Sequence, residues 1–407
     1  MKINLVVERQ WHVSPHVSAL ESAAWDYSLL GGFPRSRYVE LGIPSAKVKA
    51  FPYPALWNYA VAKFKFSKFL QADAPDLMAR WSASKTSSES VVICYSTVYR
   101  HLFPRLDRRY QGHESRRPTL VIERGSTHPE AYFHAVERGR MEAGLPWSTT
   151  LPTSIQDEIE AGSLAHFVVA GSTVIKDSYR VRGVPADRIL TIPYGTDPEL
   201  FKYYDRASSP SSSTLHIACV GYQGIRKGIG RLLKIGDWAK RRGISLLIHL
   251  VGPMESETPA LLSQSSVPVK VHGVKKGAAL VEILHACDLY CLPSYEEGFG
   301  ISVIEAMATG LPAIVSVETG AREAISLGED GILLSDYSDD ALDADLGAVF
   351  RNRQMRLQMG IAAREKVLSK YTHAHYERCL HLEYERMFAC IEADPNLKNL
   401  RELNVLK

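Results

Sequence analysis

Apolar runs of five or six residues, each bounded by polar turns, recur along the first two hundred positions: Ile3 to Val7, Ser90 to Cys94, Pro118 to Ile122, Ala165 to Ala170 and Ile189 to Pro193. Helix-like stretches separate them, notably Ala60 to Asp73 and Ser172 to Arg182. Strand followed by helix, repeated, is the pattern of an α/β domain with a mostly parallel sheet.

The pattern stops at Ala207 to Thr214, eight residues of which five are serine. Such a segment cannot bury apolar area, so it reads as a linker or as a surface loop at a domain boundary. Beyond it the pattern restarts. Leu215 to Val220, Ser245 to Val251, Val269 to His272, Leu289 to Leu292 and Pro312 to Ser316 read as strands. Gly228 to Lys240, Ala278 to His285 and Ser302 to Thr309 read as the helices between them. The expected division is residues 1–206, a linker at 207–214, a second domain at 215–380 and a terminal helix with its tail at 381–407. From Ala341 the chain reads as successive helices interrupted at Tyr371-Thr372-His373. Leu357, Ile361, Ala362 and Val367 are expected on one side of the first, and the recurrence of Tyr376, Leu380, Tyr384 and Phe388 is expected to be a packing face, part of which closes against the N-terminal domain.

Length supports two domains, since 407 residues exceed what one core usually organises. Hydrophobic residues at 45% and charged residues at 23% are ordinary for a folded protein and exclude a disordered chain. A formal charge of +3 gives no reason to expect a nucleic-acid partner. The apolar run before Glu8 is too short for a secretory signal, and no run approaches the roughly 18 to 20 apolar residues of a membrane span. Six cysteines without a C-x-x-C pair read as reduced interior residues of a cytoplasmic protein, not as a disulfide or zinc framework.

Candidate chemistry sits where the strands end. Pro293 to Met307 runs from a strand through a glycine-punctuated turn into a helix, with Gly298 and Gly300 allowing close approach to a ligand and the new helix offering free N–H groups to an anion. Glu305 lies among Val303, Ile304, Ala306 and Met307, so it is either solvated, favoured by the helix dipole, or matched to donors such as ribose hydroxyls. The turn Val220-Gly221-Tyr222-Gln223-Gly224-Ile225-Arg226-Lys227-Gly228 offers two cations to a diphosphate, although such turns are also common on surfaces. Glu123-Arg124-Gly125-Ser126-Thr127-His128-Pro129 crowds polar side chains beyond a strand, with His128 either part of a site or merely structural. Pro193-Tyr194-Gly195-Thr196-Asp197 follows another strand, with Gly195 expected in a strained turn at the cleft and Asp197 capping it; turn chemistry alone would also explain both.

On these residues the chain resembles the retaining GT-B glycosyltransferases of family 4, also called glycosyl transferases group 1. The likeness covers most of residues 165–390 and only loosely 1–160. Its centre is the family's E-x7-E element, met by Glu297 and Glu305 in the segment opening Ser294-Tyr295-Glu296-Glu297-Gly298-Phe299-Gly300. The resemblance implies two Rossmann-like domains facing across a cleft, with the nucleotide sugar on the C-terminal one and the acceptor on the N-terminal one. It implies Glu305 on the ribose, Glu297 on the transferred sugar, Lys227 on the diphosphate, and backbone at Gly298, Phe299 and Gly300 lining the sugar. His128 is implied near the sugar and leaving group, and no obligatory metal or other cofactor is implied. The acceptor side is expected to include His16, Glu123, Arg124, Ser126, Tyr194 and Gly195.

The activity so implied is retaining transfer from a nucleotide-diphosphate sugar to a hydroxyl of a saccharide or lipid-linked acceptor. A related hydrolase or epimerase and a carbohydrate-binding protein without catalysis are the alternatives. Two departures stand out. Tyr222 occupies the place where the family often has arginine, leaving Arg226 to compensate, and the first glycine-rich loop is replaced by Trp11-His12-Val13-Ser14-Pro15-His16. The basic-aromatic stretch Lys63 to Phe69 reads either as a contact with the inner face of a membrane or as ordinary packing.

Overall fold

The computed structural model describes the whole chain except residues 9–12, 64–72, 96–97, 114–116, 209, 211, 395 and 404–407. Two parallel sheets organise it. In the first, β1 (Lys2–Val7), β2 (Tyr27–Gly31), β3 (Val48–Ala50), β4 (Ser90–Tyr95), β5 (Thr119–Glu123), β6 (Phe167–Ala170) and β7 (Ile189–Thr191) take the order β3-β2-β1-β4-β5-β6-β7. In the second, β8 (Leu215–Val220), β9 (Leu246–Val251), β10 (Val269–Val271), β11 (Leu289–Leu292), β12 (Ala313–Ser316) and β13 (Gly331–Leu334) take the order β10-β9-β8-β11-β12-β13. Strand order therefore reverses between β1 and β4, and again between β8 and β11. At each reversal the following helices leave to opposite faces of the sheet and open a crevice at the carboxyl ends of the strands.

The expectation of two Rossmann-like domains holds, and the strands read from sequence lie within a few residues of the observed ones. β2, β3 and β13 went unread, the last being four residues that open on Gly331. β2 is five residues buried on both faces, too short for a period, and β3 is three residues at the sheet edge with Lys49 exposed. The helix expected over Ala60 to Asp73 begins earlier, at Tyr53, and is described to Lys63. Residues 64–72 of that expectation, with most of the Lys63 to Phe69 stretch, and Trp11 and His12 lie outside the described residues, while Asp73 is the non-helical cap of the next helix, Ala74–Lys85.

The C-terminal helices bring the two domains together. Helices Asp339–Arg351 and Arg353–Lys370 pack on the second domain. The buried face of the latter is Met359, Gly360, Ala363 and Val367, and Ile361, expected to be inward, is 48% exposed. The chain then crosses back at Tyr371-Thr372-His373, where Thr196 N–H donates to Tyr371 O at 2.8 Å and His373 N–H donates to Thr196 O at 3.1 Å. Helix His373–Ala393 lies against helix Val13–Ser22 and β7, burying Tyr376, Leu380 and Tyr384, with Phe388 partly covered. It runs unbroken through positions 380 and 381, and the break from the preceding helix lies at Tyr371-Thr372.

Candidate functional site

The C-terminal crevice is built by two loops that touch. After β8 the chain turns through Gly221 to Gly228 before helix Ile229–Arg241, and after β11 it turns through Pro293 to Gly300 before helix Ile301–Ala308. Gly228 sits at φ +73°, and a Cβ there would lie 2.0 Å from the Pro293 carbonyl oxygen, so the loops can meet only at a glycine. Tyr295 N–H donates to Arg226 O at 2.9 Å, locking one loop to the other. The first loop is braced from beneath by Gln223, whose side-chain amide donates to the carbonyls of Cys219, Gly221 and Val251.

This contact joins the charged residues read from sequence. Lys227 Nζ bonds Glu297 Oε2, and Arg226 Nη1 reaches the same oxygen at 3.3 Å. Burial, then the neighbouring Arg226, pushes the Lys227 ammonium down to about 7. Tyr222 is 51% exposed on the same turn, in the position expected for a cation. Glu305 lies one turn into helix Ile301–Ala308, half-buried, and burial pushes its carboxyl up to about 7. No protein group among the described residues hydrogen-bonds it, so this carboxyl keeps its acceptor capacity for something else.

The N-terminal domain closes over this pair of loops. A Cβ on Gly298 would lie 2.3 Å from the Gly125 carbonyl oxygen, so backbone of one domain rests on backbone of the other. Ser172 donates its hydroxyl to Gly298 O. Thr127 donates both its N–H, at 2.8 Å, and its hydroxyl, at 3.1 Å, to Glu296 Oε1, while Arg226 Nη1 holds Glu296 Oε2 at 3.1 Å. Helix Pro129–Glu142 extends the contact: Tyr295 donates to Glu142 at 2.7 Å, and Arg138 pairs with Glu318 at 3.0 Å. Arg231, buried, lies with its guanidinium 3.8 Å from the Tyr295 ring centroid and pairs with Glu318. Sequence reasoning passed over Thr127, Glu296, Glu142 and Arg231, because their role exists only when two distant segments meet.

His128 caps helix Pro129–Glu142, its Nδ1 accepting the Glu130 N–H at 3.4 Å. Burial, then Arg182 and Arg124, push it down to about 3, so the ring is neutral. A neutral ring accepting at Nδ1 carries its proton on Nε2. That Nε2 is buried and has no hydrogen-bond partner among the described residues, so the side chain caps the helix through Nδ1 and leaves Nε2 unpaired.

Several residues expected on the acceptor side are placed differently. His16 is fully buried beneath helix His373–Ala393, with the Tyr95 and Tyr376 hydroxyls at Nδ1 and the Tyr384 hydroxyl 3.0 Å from Nε2. Glu123 lies 3.5 Å from the same Nδ1 and is itself buried, with neither oxygen hydrogen-bonded among the described residues. These two form an interior polar cluster, not a cleft wall, because the crossing helix covers them. Arg124 is buried against Glu158 at 3.3 Å and donates to Thr127 O, so it shapes the loop that carries His128; Ser126 is half-buried in that loop. Tyr194 is buried between Phe299 and Tyr376. Gly195 has no positive φ; a Cβ there would lie 2.4 Å from Thr372 O, so glycine is needed for the chain crossing and not for a strained turn. Asp197 accepts the Glu199 N–H at 2.9 Å, closing the local turn.

Residues 205–366 match the family described as glycosyl transferases group 1. Among curated proteins, the chain is 33% identical over 117 residues to the N,N'-diacetylbacillosaminyl-diphospho-undecaprenol alpha-1,3-N-acetylgalactosaminyltransferase of Campylobacter jejuni, covering 29% of this chain and 31% of that protein. It is 34% identical over 192 residues to a D-inositol 3-phosphate glycosyltransferase of Corynebacterium glutamicum, covering 43% and 46% respectively. The chain thus matches from a third to about half the length of these relatives. Among solved structures it is similar over 96% of its length to the whole of a sucrose-phosphate synthase chain from Thermosynechococcus elongatus, with TM-score 0.66 and 18% identity. It is similar over 95% of its length to 99% of Anabaena HepE in complex with UDP-glucose, with TM-score 0.65 and 16% identity. At these identities the structural likeness establishes the fold.

Proposed function

From the premise that this chain has the two-domain GT-B fold and belongs through residues 205–366 to the glycosyl transferases group 1 family, we propose that it transfers a sugar from a nucleotide-diphosphate sugar to a hydroxyl of a saccharide or lipid-linked acceptor, with retention of anomeric configuration. The observation that carries the reading is the junction of the β8 and β11 loops, where Arg226 and Lys227 face Glu297 while Glu305, on the adjoining helix, has no hydrogen-bond partner among the described residues.

In this reading Glu305 accepts the ribose hydroxyls of the donor. Lys227 and Arg226 turn from Glu297 to the diphosphate, which leaves Glu297 to accept from hydroxyls of the transferred sugar. The Nε2–H of His128 donates to that sugar from the opposite domain. Gly298, Phe299 and Gly300 bring backbone to the sugar, and the start of helix Ile301–Ala308 adds its N–H dipoles.

The acceptor hydroxyl attacks the anomeric carbon on the face from which the diphosphate leaves. A bond forms from acceptor oxygen to that carbon, the bond from the carbon to the diphosphate oxygen breaks, and the hydroxyl proton passes to the departing diphosphate. Arg226, Lys227 and the helix terminus stabilise the charge gathering on the leaving group, a task that needs preorganised donors and no protein nucleophile.

Incubation with UDP-, GDP- and ADP-sugars, followed by nucleotide release with and without candidate acceptors, tests the proposal. Acceptor-dependent release with a new glycosidic bond of retained configuration is expected. Release to free sugar under every acceptor would replace transfer by hydrolysis, and failure to bind any of these donors would overturn the site.

A further inference from the structure

Helix Tyr53–Lys63 turns apolar side chains to both sides, burying Val61 and exposing four larger ones. Its sequence, YPALWNYAVAK, holds one amide, Asn58, and one charge, Lys63. Asn58 faces inward, where it lines with Pro54, Ala55, Phe33 and Met78 a cavity of about 190 Å³. The outward face carries Tyr53, Leu56, Trp57 and Tyr59, exposed by 70, 50, 52 and 63%. At 3.6 residues per turn, Tyr53, Leu56 and Trp57 fall within about 100° of one another, and Tyr59 flanks Leu56. Single exposed apolar residues are ordinary; four large ones sharing the outer side of one short helix mark an interaction surface.

Charge narrows the partner. From Phe33 to Ala72 the sequence carries Arg35, Arg37, Lys47, Lys49, Lys63, Lys65 and Lys68 against Glu40 alone. Lys49 is exposed on the edge strand β3, four residues before the helix, and Lys63 is exposed at its end with Nζ 5.7 Å from the Tyr59 ring centroid. A second copy docking on this face in a twofold arrangement would bring the same positive sign against itself. Tryptophan and tyrosine with cationic neighbours suit the boundary between an acidic headgroup layer and acyl chains, where each ring has an apolar body and a polar tip to satisfy.

Position connects this face to the cleft. The cavity behind the helix is also lined by Glu8 and Gly32, which follow the carboxyl ends of β1 and β2, on the side of the sheet that faces the other domain. We infer that the outward face of helix Tyr53–Lys63 docks the protein on an anionic lipid bilayer, and that the acceptor reaches the cleft from that bilayer on a lipid carrier. The second half rests on the transferase reading; the first does not.

Co-sedimentation of the full chain with vesicles of phosphatidylcholine, alone and mixed with phosphatidylglycerol, tests the surface. Binding is expected to the mixed vesicles, to weaken with added salt, and to fall by at least about tenfold in Leu56→Ser/Trp57→Ser and in Lys49→Glu/Lys63→Glu. These positions are exposed, so unchanged melting and unchanged nucleotide binding are expected in the same variants. Equal sedimentation of wild type and variants, or no preference for the anionic vesicles, overturns the inference. A concentration-dependent dimer of the wild type that both variants abolish, without vesicle binding, replaces the bilayer by a second copy. Vesicle binding in a protein that turns over no sugar nucleotide leaves the docking face standing and removes the transferase reading with its lipid-linked acceptor.

Discussion

The N–H and hydroxyl of Thr127 both end on one oxygen of Glu296, at 2.8 and 3.1 Å, while the other oxygen of that carboxylate is held by Arg226. One buried side chain thus links the His128 loop of the first domain to the cation that faces Glu297 in the second.

Removing that link should loosen closure more than donor binding. Glu296→Ala leaves a buried N–H without its acceptor, an effect of about 1–3 kcal/mol, equivalent to roughly tenfold in rate for each 1.4 kcal/mol that the closed state loses. A fall in kcat of about tenfold or more is expected, with nucleotide affinity changed by less than about threefold. Small-angle scattering with bound nucleotide should show a more open average shape than wild type. Unchanged kcat would remove Glu296 from the closing mechanism.

Lys227→Ala should weaken nucleoside diphosphate binding by about 10- to 100-fold, since a charge-assisted bond to phosphate contributes about 1.5–3 kcal/mol. A nucleoside that lacks phosphates should bind both proteins alike, and calorimetry with the two ligands distinguishes a lost phosphate contact from a collapsed site. Arg226 remains beside Glu297 in this variant, so that carboxylate keeps one cation and the protein is expected to fold.

The Glu305 carboxyl and the Lys227 ammonium both titrate near 7, from opposite directions. Glu305 is raised from 4.5, so the folded state holds this proton more tightly than the unfolded chain. That contribution to stability is complete below about pH 4.5 and is lost as pH rises through about 7. Lys227 is lowered from 10.5, so the unfolded chain binds the extra proton, and stability from this group rises with pH between about 7 and 10.5. Nucleotide binding should release a proton from Glu305 as ribose hydroxyls favour its charged form, and take one up at Lys227 as phosphate favours the ammonium. Calorimetry in buffers of different ionisation enthalpy near pH 7 is expected to show net uptake in Glu305→Gln, and net release in Lys227→Met. Identical proton exchange in both variants and wild type would remove the two groups from the binding site.

Gly195→Ala places a methyl group where the Thr372 carbonyl oxygen lies, 2.4 Å from the new carbon. Overpacking of this kind costs about 1–3 kcal/mol. A lowered melting temperature is expected, with faster hydrogen exchange in helix His373–Ala393, whose position depends on the crossing. Exchange unchanged in that helix would show that the crossing does not anchor it.

Tyr222 is half-exposed and packs into no core, so Tyr222→Arg should be accepted without loss of stability. A guanidinium on that turn is expected to tighten diphosphate binding by about 10-fold, through one more charge-assisted bond. No change in affinity would show that the turn does not face the phosphates.

The second domain was legible in the sequence almost strand by strand, because parallel strands covered on both faces read as short continuous apolar runs. The placement of Glu297, Glu305 and Lys227 at loops and helix starts was legible for a related reason. Each lies within a few residues of a strand end or a helix start, and local spacing fixes that position. β2, β3 and β13 were not, being too short and, in β3, too polar to carry a period.

Contacts between distant segments were decided by tertiary structure alone. Sequence marked Glu123 and His16 as polar residues near strand ends, and only the return of helix His373–Ala393 made them interior. Sequence called for a glycine at 195, and only the passage of Thr372 explains it. Glu296 stood beside Glu297 without distinction until Thr127 was brought against it from 169 residues away. The alternation of apolar and polar residues records which side of its own element a residue faces. It carries no record of which other element arrives there, because that is set by the packing of the two finished domains and the chain crossing between them.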